Sequence, residues 1–217
     1  MSINQKKKTT VNLIIYRQLQ ANEILVDNGK WKKLNESFAD TPHGIYFYTF
    51  GKDAHVPFYI GMCGAKEDNI VGRVKKELKK DYSCGGNWLP KDVSMLKNLD
   101  CFKKSIFKHQ KREELFYPPV EECRNITNEQ KKAINKFMDS VFITFGRIEP
   151  EKDVLLKQVE AKLQDYIVNK FKLERGWIGD AGQKFAQVSE KGKKGLSIIF
   201  KNETGKKINF LDVFKDI

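Results

Sequence analysis

Residues 44–61 constrain the fold of this chain more than any other stretch, because two aromatic-rich runs flank a short polar connection. The runs cover 44–50 and 57–62, and the connection between them, GKDAHV, contains Gly and Asp. Apolar runs separated by such residues are typical of strands joined by a tight connection. The pattern therefore predicts a β-hairpin at this point of the chain.

The side chains of this hairpin can be assigned to faces once a register is chosen. If Phe50 pairs with Pro57, Tyr48 stands opposite Tyr59 and Tyr46 stands opposite Gly61. Opposed residues share a face of the sheet, and every second residue returns to that face. We therefore expect three phenol groups on one side of the sheet, with a glycine allowing close approach.

Two further core elements follow the hairpin. From residue 69 the apolar positions Ile70, Val71, Val74 and Leu78 recur at three- and four-residue spacing, which predicts a helix. Arg73 lies beside the apolar stripe of this helix. Two roles are open for it: an i,i+4 salt bridge to Glu77 or a functional cation next to the sheet.

A later strand and helix complete the predicted core. The nearly unbroken apolar run Val141–Phe145 predicts a buried strand, and the residues at about 152–173 predict a helix. Glu160 falls within the apolar face of that helix. A buried carboxylate is costly unless it is paired or binds a metal, so Glu160 either meets a structural arginine or serves a site.

The residues of the hairpin carry a family resemblance. Gly44-Ile45-Tyr46 and Tyr59-Ile60-Gly61 stand in order on two predicted strands, and in this the chain resembles the GIY-YIG nuclease family. That family also has an arginine on the helix after the second strand and a glutamate on a later helix. Arg73 and Glu160 match those two positions.

The resemblance implies a fold and a chemistry. It implies an α+β fold in which the hairpin and a third strand form a small antiparallel or mixed sheet flanked by helices. It implies hydrolysis of phosphodiester bonds, with Glu160 holding Mg²⁺ or another divalent cation such as Mn²⁺ and Arg73 stabilising negative charge. Tyr46 or Tyr59 would activate or orient the attacking water, and the sequence does not choose between them.

The chain also departs from the family pattern. The turn after the later helix has no asparagine where members often have one, and Glu77 stands where many have a histidine. Met62 follows the second motif where a basic residue is frequent, and Lys66 is a candidate to supply that charge. These departures concern proton transfer, because the predicted metal and phosphate positions are present.

Segments outside the core complete the predicted organisation. Residues 1–40 form an N-terminal arm, in which we expect a loose basic leader over 1–10 and a helix followed by irregular structure over 11–40. This arm either covers the sheet, which is the preferred role, or contacts DNA. Residues 41–180 form the nuclease core, with a long insertion at 81–139 in which 92–99 and 128–138 look helical. Residues 181–217 form a basic C-terminal β-hairpin, with strands near 196–200 and 208–211.

The net positive charge of the chain indicates the kind of partner that it binds. The 217 residues carry 40 Lys and Arg against 28 Asp and Glu, a net charge of +12. Such a surplus favours a polyanion, and double-stranded DNA is preferred here, although a solvated basic surface is the alternative. The residues that we expect to contact this substrate are Lys66, Lys103, Lys104, Lys108, Lys206 and Lys207. For the run around Lys104, an exposed helix face explains the lysines equally well.

The sequence also predicts where the protein is located and whether its cysteines bind a metal. No apolar run approaches the ~20 residues of a membrane span, and the first residues lack the apolar segment of a signal peptide. We therefore expect a cytoplasmic protein with no membrane partner. The cysteines Cys63, Cys84, Cys101 and Cys123 lack metal-ligand spacing, so we expect reduced thiols and no zinc site.

The functional hypothesis is a metal-dependent DNA endonuclease, most like a type II restriction enzyme. A palindromic target would require two active sites, hence a homodimer or sequential nicking. Two alternatives remain: a structure-specific repair or recombination nuclease, and a non-catalytic DNA-binding or inhibitory module on the same fold.

Overall fold

The strands of a single sheet organise the described part of the chain. They are β1 (Thr9–Gln20), β2 (Gly44–Phe50), β3 (Tyr59–Cys63), β4 (Val141–Glu149) and β5 (Leu196–Asn202), in the order β3-β2-β4-β1-β5. A computed structural model describes residues 9–21, 23, 43–64, 70, 73, 74, 100, 104, 127–172 and 195–217. Neighbouring strands are antiparallel except for β5, which runs parallel to β1. The sheet is therefore mixed.

Helical elements accompany this sheet. Those with defined bounds are α1 (Asn128–Ser140), α2 (Asp153–Phe171) and a 3-10 helix (Asn209–Phe214). The predicted α+β class is thus confirmed, as are the third core strand, the helix near 128–138 and the helix that carries Glu160. The helix expected at 92–99 lies outside the described residues.

The register assumed for the hairpin is confirmed. Tyr48 pairs with Tyr59, and Tyr46 pairs with Gly61. β3 begins at Tyr59, two residues later than predicted, and the Phe58 amide donates to the Tyr48 carbonyl at 2.8 Å. Because register assigns every side chain to a face, this pairing fixes where the tyrosines lie.

The prediction of a helix in the N-terminal arm is wrong for residues 11–20, which belong to β1. This strand lies inside the sheet between β4 and β5, and Val11, Leu13, Ile14 and Ile15 are buried. The register with β4 shifts between Ile15 and Arg17. A bulge there changes which face the following residues occupy, and the period-two pattern of a strand is lost in the sequence. Only Ala21 and Glu23 beyond this strand are described before residue 43, and both are helical.

The prediction of a C-terminal β-hairpin is also wrong. Residues 196–202 form a strand as expected, but 208–211 do not return along its edge. Asn202 holds a tight turn, because its Oδ1 accepts from the Thr204 amide at 3.0 Å and its Nδ2 donates to the Lys206 carbonyl at 2.7 Å. The chain then crosses onto the sheet face and forms the 3-10 helix.

Aromatic contacts anchor the 3-10 helix on the sheet. Phe210 and Phe214, four residues apart, are both buried and contact Phe47 with ring centroids 5.0 and 6.1 Å away. Phe214 also packs on Phe200 and on Tyr166 of α2. The C-terminal segment is therefore joined to the same sheet face as α2.

We predict that Phe214→Ala destabilises the protein by about 3–5 kcal/mol, because it empties a fully buried site. The melting temperature should fall by about 10 °C, measured by circular dichroism. Lys215→Ala is the matched control, since its side chain is exposed and pairs only at the surface with Asp212. Equal melting temperatures for the two variants would show that the C-terminal segment does not hold the fold.

Candidate active site

Three tyrosines form a cluster on one face of β2 and β3. The ring centroids lie 5.6 Å apart for Tyr46 and Tyr48, 6.0 Å for Tyr46 and Tyr59, and 5.0 Å for Tyr48 and Tyr59. Tyr46 and Tyr48 are fully buried, whereas Tyr59 keeps 8% of its surface exposed. Of the three, Tyr59 is thus the one with surface available to an external group.

Gly61 is what allows the Tyr46 ring to lie over β3. A Cβ atom at Gly61 would stand 2.6 Å from the Tyr46 Oη and 2.5 Å from the Cζ atom of the ring. These separations are shorter than any real Cβ contact, so the space above Gly61 is the space that the phenol occupies. The Tyr46 phenol of the first motif therefore packs over Gly61 of the second motif, as the assumed register predicted.

Helix α2 runs along β3 in the opposite direction. Its first residue, Asp153, lies near Gly64, with Oδ1 3.4 Å from the position of a Cβ there. Farther along, Gln164 Nε2 donates to the Ile60 carbonyl at 2.7 Å. The helix rises about 16 Å between these two contacts, and the strand covers about 13 Å between Gly64 and Ile60. Helix and strand therefore lie side by side.

This alignment places Glu160 next to the second motif. Glu160 precedes Gln164 by one turn, about 6 Å along the helix axis. Because Gln164 is anchored at Ile60, Glu160 lies alongside Gly61 and Met62. Since α2 packs with Phe214 on the Phe47 side of the sheet, Glu160 approaches β3 from the face opposite to the tyrosine cluster.

Burial of Glu160 agrees with the helical pattern. Its exposed fraction is 4%, and the neighbouring buried residues on α2 include Leu156, Val159 and Leu163. It takes part in an interaction with another residue and is not an isolated charge. A carboxylate in such surroundings needs compensation by a partner or a cation.

Arg73 lies on helical backbone, as predicted. Ile70 and Val74 on either side of it are fully buried, and the Ile70 Cδ1 stands 3.3 Å from where a Cβ of Gly44 would be. Arg73 itself is half-buried and has an interaction partner. The segment that carries the arginine is therefore packed against the start of β2.

The predicted substrate-binding lysines are only partly described. Lys104, Lys206 and Lys207 are exposed, which agrees with a contact role and equally with a solvated surface. Lys207 and His55 both help to lower the pKa of Asp212, after the main effect of its hydrogen bond from Lys215. Lys207 therefore lies near the loop that joins β2 and β3. Lys66, Lys103 and Lys108 lie outside the described residues.

Gln164 is a candidate that the sequence reasoning missed. A neutral amide on a helical wheel attracts less notice than a carboxylate. Yet Gln164 follows Glu160 at i+4 and shares its apolar stripe, and this spacing was available as a signal. Its exposed fraction is only 2%.

A separate pocket opens at the start of α2. Three carboxylates and two constitutive cations line it, so the balance of charge does not favour a phosphate there. It ends at Leu156, one turn before Glu160. The lining residues are His43, Arg147, Ile148, Glu149, Glu151, Lys152, Asp153 and Leu156.

Among the described residues, no group of three or more His, Cys, Asp or Glu is arranged to hold a metal ion. Cys63 is a buried free thiol, and the other cysteines lie outside the described residues. None of the described helices has the length and hydropathy required to cross a bilayer.

Comparison with known proteins gives no relative. No protein-family model matches the chain, and searches of curated proteins and of solved structures returned no match. Function must therefore be argued from the site itself.

We predict that Gly61→Ala lowers the free energy of unfolding by about 2 kcal/mol, because the added methyl group collides with the Tyr46 ring. The melting temperature should fall by about 4–8 °C. Gly64→Ala is the control, since its Cβ would make only an ordinary 3.4 Å contact with Asp153. Equal losses in the two variants would contradict the close approach of the phenol.

Proposed function

We propose that this protein is a metal-dependent endonuclease that hydrolyses phosphodiester bonds of double-stranded DNA. The observation that carries the proposal is the buried glutamate on α2, the helix that lies along the strand of the second motif. The tyrosine cluster packs on the other face of that strand, where the hairpin register places Tyr46 over Gly61. A sheet edge with phenol and carboxylate groups, in a chain of net charge +12, suits hydrolysis of a phosphate backbone.

Glu160 is the residue that would hold the cation. Mg²⁺ prefers oxygen ligands, keeps several waters and is commonly bound through one or two carboxylates together with substrate phosphates. The buried carboxylate of Glu160 and the buried amide oxygen of Gln164 supply oxygen donors of this type. When bound, such a cation stabilises negative charge on a phosphate and lowers the pKa of a coordinated water.

The remaining roles belong to Tyr59 and Arg73. Tyr59 has exposed surface, so its hydroxyl would orient the attacking water by a hydrogen bond. Tyr46 is fully buried and would hold the Tyr59 ring in place through their contact. Arg73 would stabilise the charge that develops on the phosphate, because guanidinium and phosphate groups form strong paired hydrogen bonds.

The finer proposal is sequence-specific restriction of duplex DNA. Such an enzyme would act on a palindromic target as a homodimer or by sequential nicking. A structure-specific repair or recombination nuclease would share the chemistry and lack base readout.

One observation favours a second candidate, a non-catalytic DNA-binding module. Two of the three tyrosines in the cluster have no exposed surface, as expected of side chains that serve packing. Such a module would bind DNA through its basic surface and leave it intact.

We predict that Glu160→Gln lowers the rate of DNA cleavage by at least about a hundredfold, because the cation loses its charged ligand. Plasmid and linear duplex DNA are incubated with Mg²⁺, with Mn²⁺ and with a chelator, and fragments are resolved by gel electrophoresis. Glu151→Gln, the same substitution at an exposed site just before α2, should cleave like the wild type.

The fragment pattern separates the candidate functions. Discrete fragments from plasmid DNA support restriction, whereas cleavage confined to branched or flapped substrates supports repair. A gel shift without cleavage at any metal or salt concentration would support the non-catalytic module and contradict the nuclease.

We predict that Tyr59→Phe reduces the cleavage rate by about tenfold or more, because the hydroxyl that orients the water is lost. Tyr48→Phe removes the same atom from a fully buried ring of the same cluster and should retain activity. Single-turnover rates on one duplex substrate compare the two. Equal cleavage rates for the two variants would show that a group other than the Tyr59 hydroxyl orients the attacking water.

A further inference from the structure

Three segments of the chain meet at one end of the sheet. The loop that joins β2 to β3 touches the C-terminal segment, because the Asp53 carbonyl accepts a hydrogen bond from Asn209 Nδ2 at 3.3 Å. The last turn of α2 reaches the same segment, since Lys170 Nζ donates to the Val213 carbonyl at 2.9 Å. The loop, the end of α2 and the C-terminal segment therefore lie side by side.

The surface that these segments form, which we call the basic end, comprises residues 51–58, 170–172 and 205–217. All of its lysines are exposed, and they outnumber its aspartates by six to three. A surplus of exposed cations on one surface attracts a polyanion. The lysines are Lys52, Lys170, Lys172, Lys206, Lys207 and Lys215.

Part of the negative charge on the basic end is already neutralised. Lys215 Nζ lies 2.9 Å from Asp212 Oδ1. The pKa of Asp212 is lowered, first by the hydrogen bond from Lys215 and further by the charge of Lys207. By contrast, Lys52 and Lys172 form no ion pair with another residue in the described part of the chain. Their ammonium groups are available to an external anion.

The start of α2 has the opposite character. The carboxylates Glu149, Glu151 and Asp153 line the pocket there and outnumber its two constitutive cations. Residues 153 and 172 are about 28 Å apart along the helix axis. A polyanion is therefore favoured at one end of α2 and not at the other, and this difference orients it on the protein.

The apolar side chains of the surface help to distinguish a nucleic acid from a membrane. Among the described residues, the large hydrophobic side chains that are exposed are Val154 and Ile199, and neither belongs to the basic end. Segments that bind a bilayer surface combine basic residues with apolar side chains that insert into it. A nucleic-acid backbone is bound by neutralising its phosphates with Lys and Arg. The basic end therefore suits a phosphate backbone better than a lipid surface.

We propose that the basic end holds the phosphate backbone of the DNA duplex, with Lys52, Lys172 and Lys207 as contacts from its three segments. The inference rests on the DNA partner of the proposed function and adds the surface that binds it. Lys172 follows Glu160 by about 18 Å along the helix axis, a distance equal to about five base pairs of duplex. The basic end thus contributes affinity and orientation, and it touches no reacting atom.

The test measures the affinity of the full chain for a fluorescent DNA duplex by anisotropy, with a chelator present so that binding is observed without cleavage. The variant that combines Lys52→Gln, Lys172→Gln and Lys207→Gln should bind at least about tenfold more weakly than the wild type at physiological salt. Its affinity should also depend less steeply on salt, since each lost phosphate contact lowers the slope of log K against log salt by about 0.9.

The matched control combines three substitutions of exposed lysines outside the basic end, Lys132→Gln, Lys152→Gln and Lys157→Gln. This variant should bind DNA like the wild type. All six positions are exposed, so both variants should keep the wild-type melting temperature. Equal affinities of the two variants would overturn the inference, because both lose the same charge. Wild-type binding to anionic lipid vesicles without binding to DNA would overturn it as well.

The outcomes also separate this inference from the nuclease proposal. Cleavage that depends on Glu160, with equal DNA affinities in the two triple variants, would overturn only the inference. Weaker binding of the first triple variant alone, without cleavage of any DNA, would support the inference and contradict the nuclease. If the wild type cleaves, the first triple variant should raise KM and leave kcat unchanged, because its substitutions lie away from the reacting atoms.

Discussion

The pairing of Tyr46 with Gly61 is the constraint on which the candidate site depends. A slip of one residue would send every side chain of β3 to the opposite face and separate Tyr59 from Tyr48. It would also replace the glycine under the Tyr46 ring with a residue that has a Cβ. The position of α2 along β3 is fixed separately, because Gln164 is bonded to the backbone of Ile60.

Sequence patterns predicted the parts of the fold in which local periodicity and tertiary environment agree. The aromatic alternation of β2 and β3 predicted two strands whose assumed register is correct, and the apolar run of β4 identified a buried strand. The wheel of α2 identified Glu160 as a buried carboxylate, and the structure buries it. These elements lie in the core and carry regular side-chain patterns, so a single sequence contains enough information to place them.

The wrong or missing predictions concern residues whose placement depends on a shift in register or on contacts with distant parts of the chain. The register shift between Ile15 and Arg17 mixes the two faces of β1 in the sequence, which made a central strand look partly helical. Phe210 and Phe214 lie in a run that alternates like a strand, yet their contacts with Phe47 select a helical turn. Gln164 was overlooked because its importance comes from a contact with a distant backbone carbonyl. No local pattern records such a contact.

The position of β1 has a consequence for how the molecule is made. Its two neighbours in the sheet are β4 and β5, which follow it by more than a hundred residues in the chain. During synthesis β1 therefore has no sheet partner until β4 and β5 have been made. The pairing of β2 with β3 is local in sequence and can form early, whereas closing β1 between its partners is slow and exposes its apolar residues meanwhile. β3, which carries the second motif, and β5, which is made last, are the two edge strands of the sheet. The edge with the candidate site can thus form early, whereas the opposite edge is completed late.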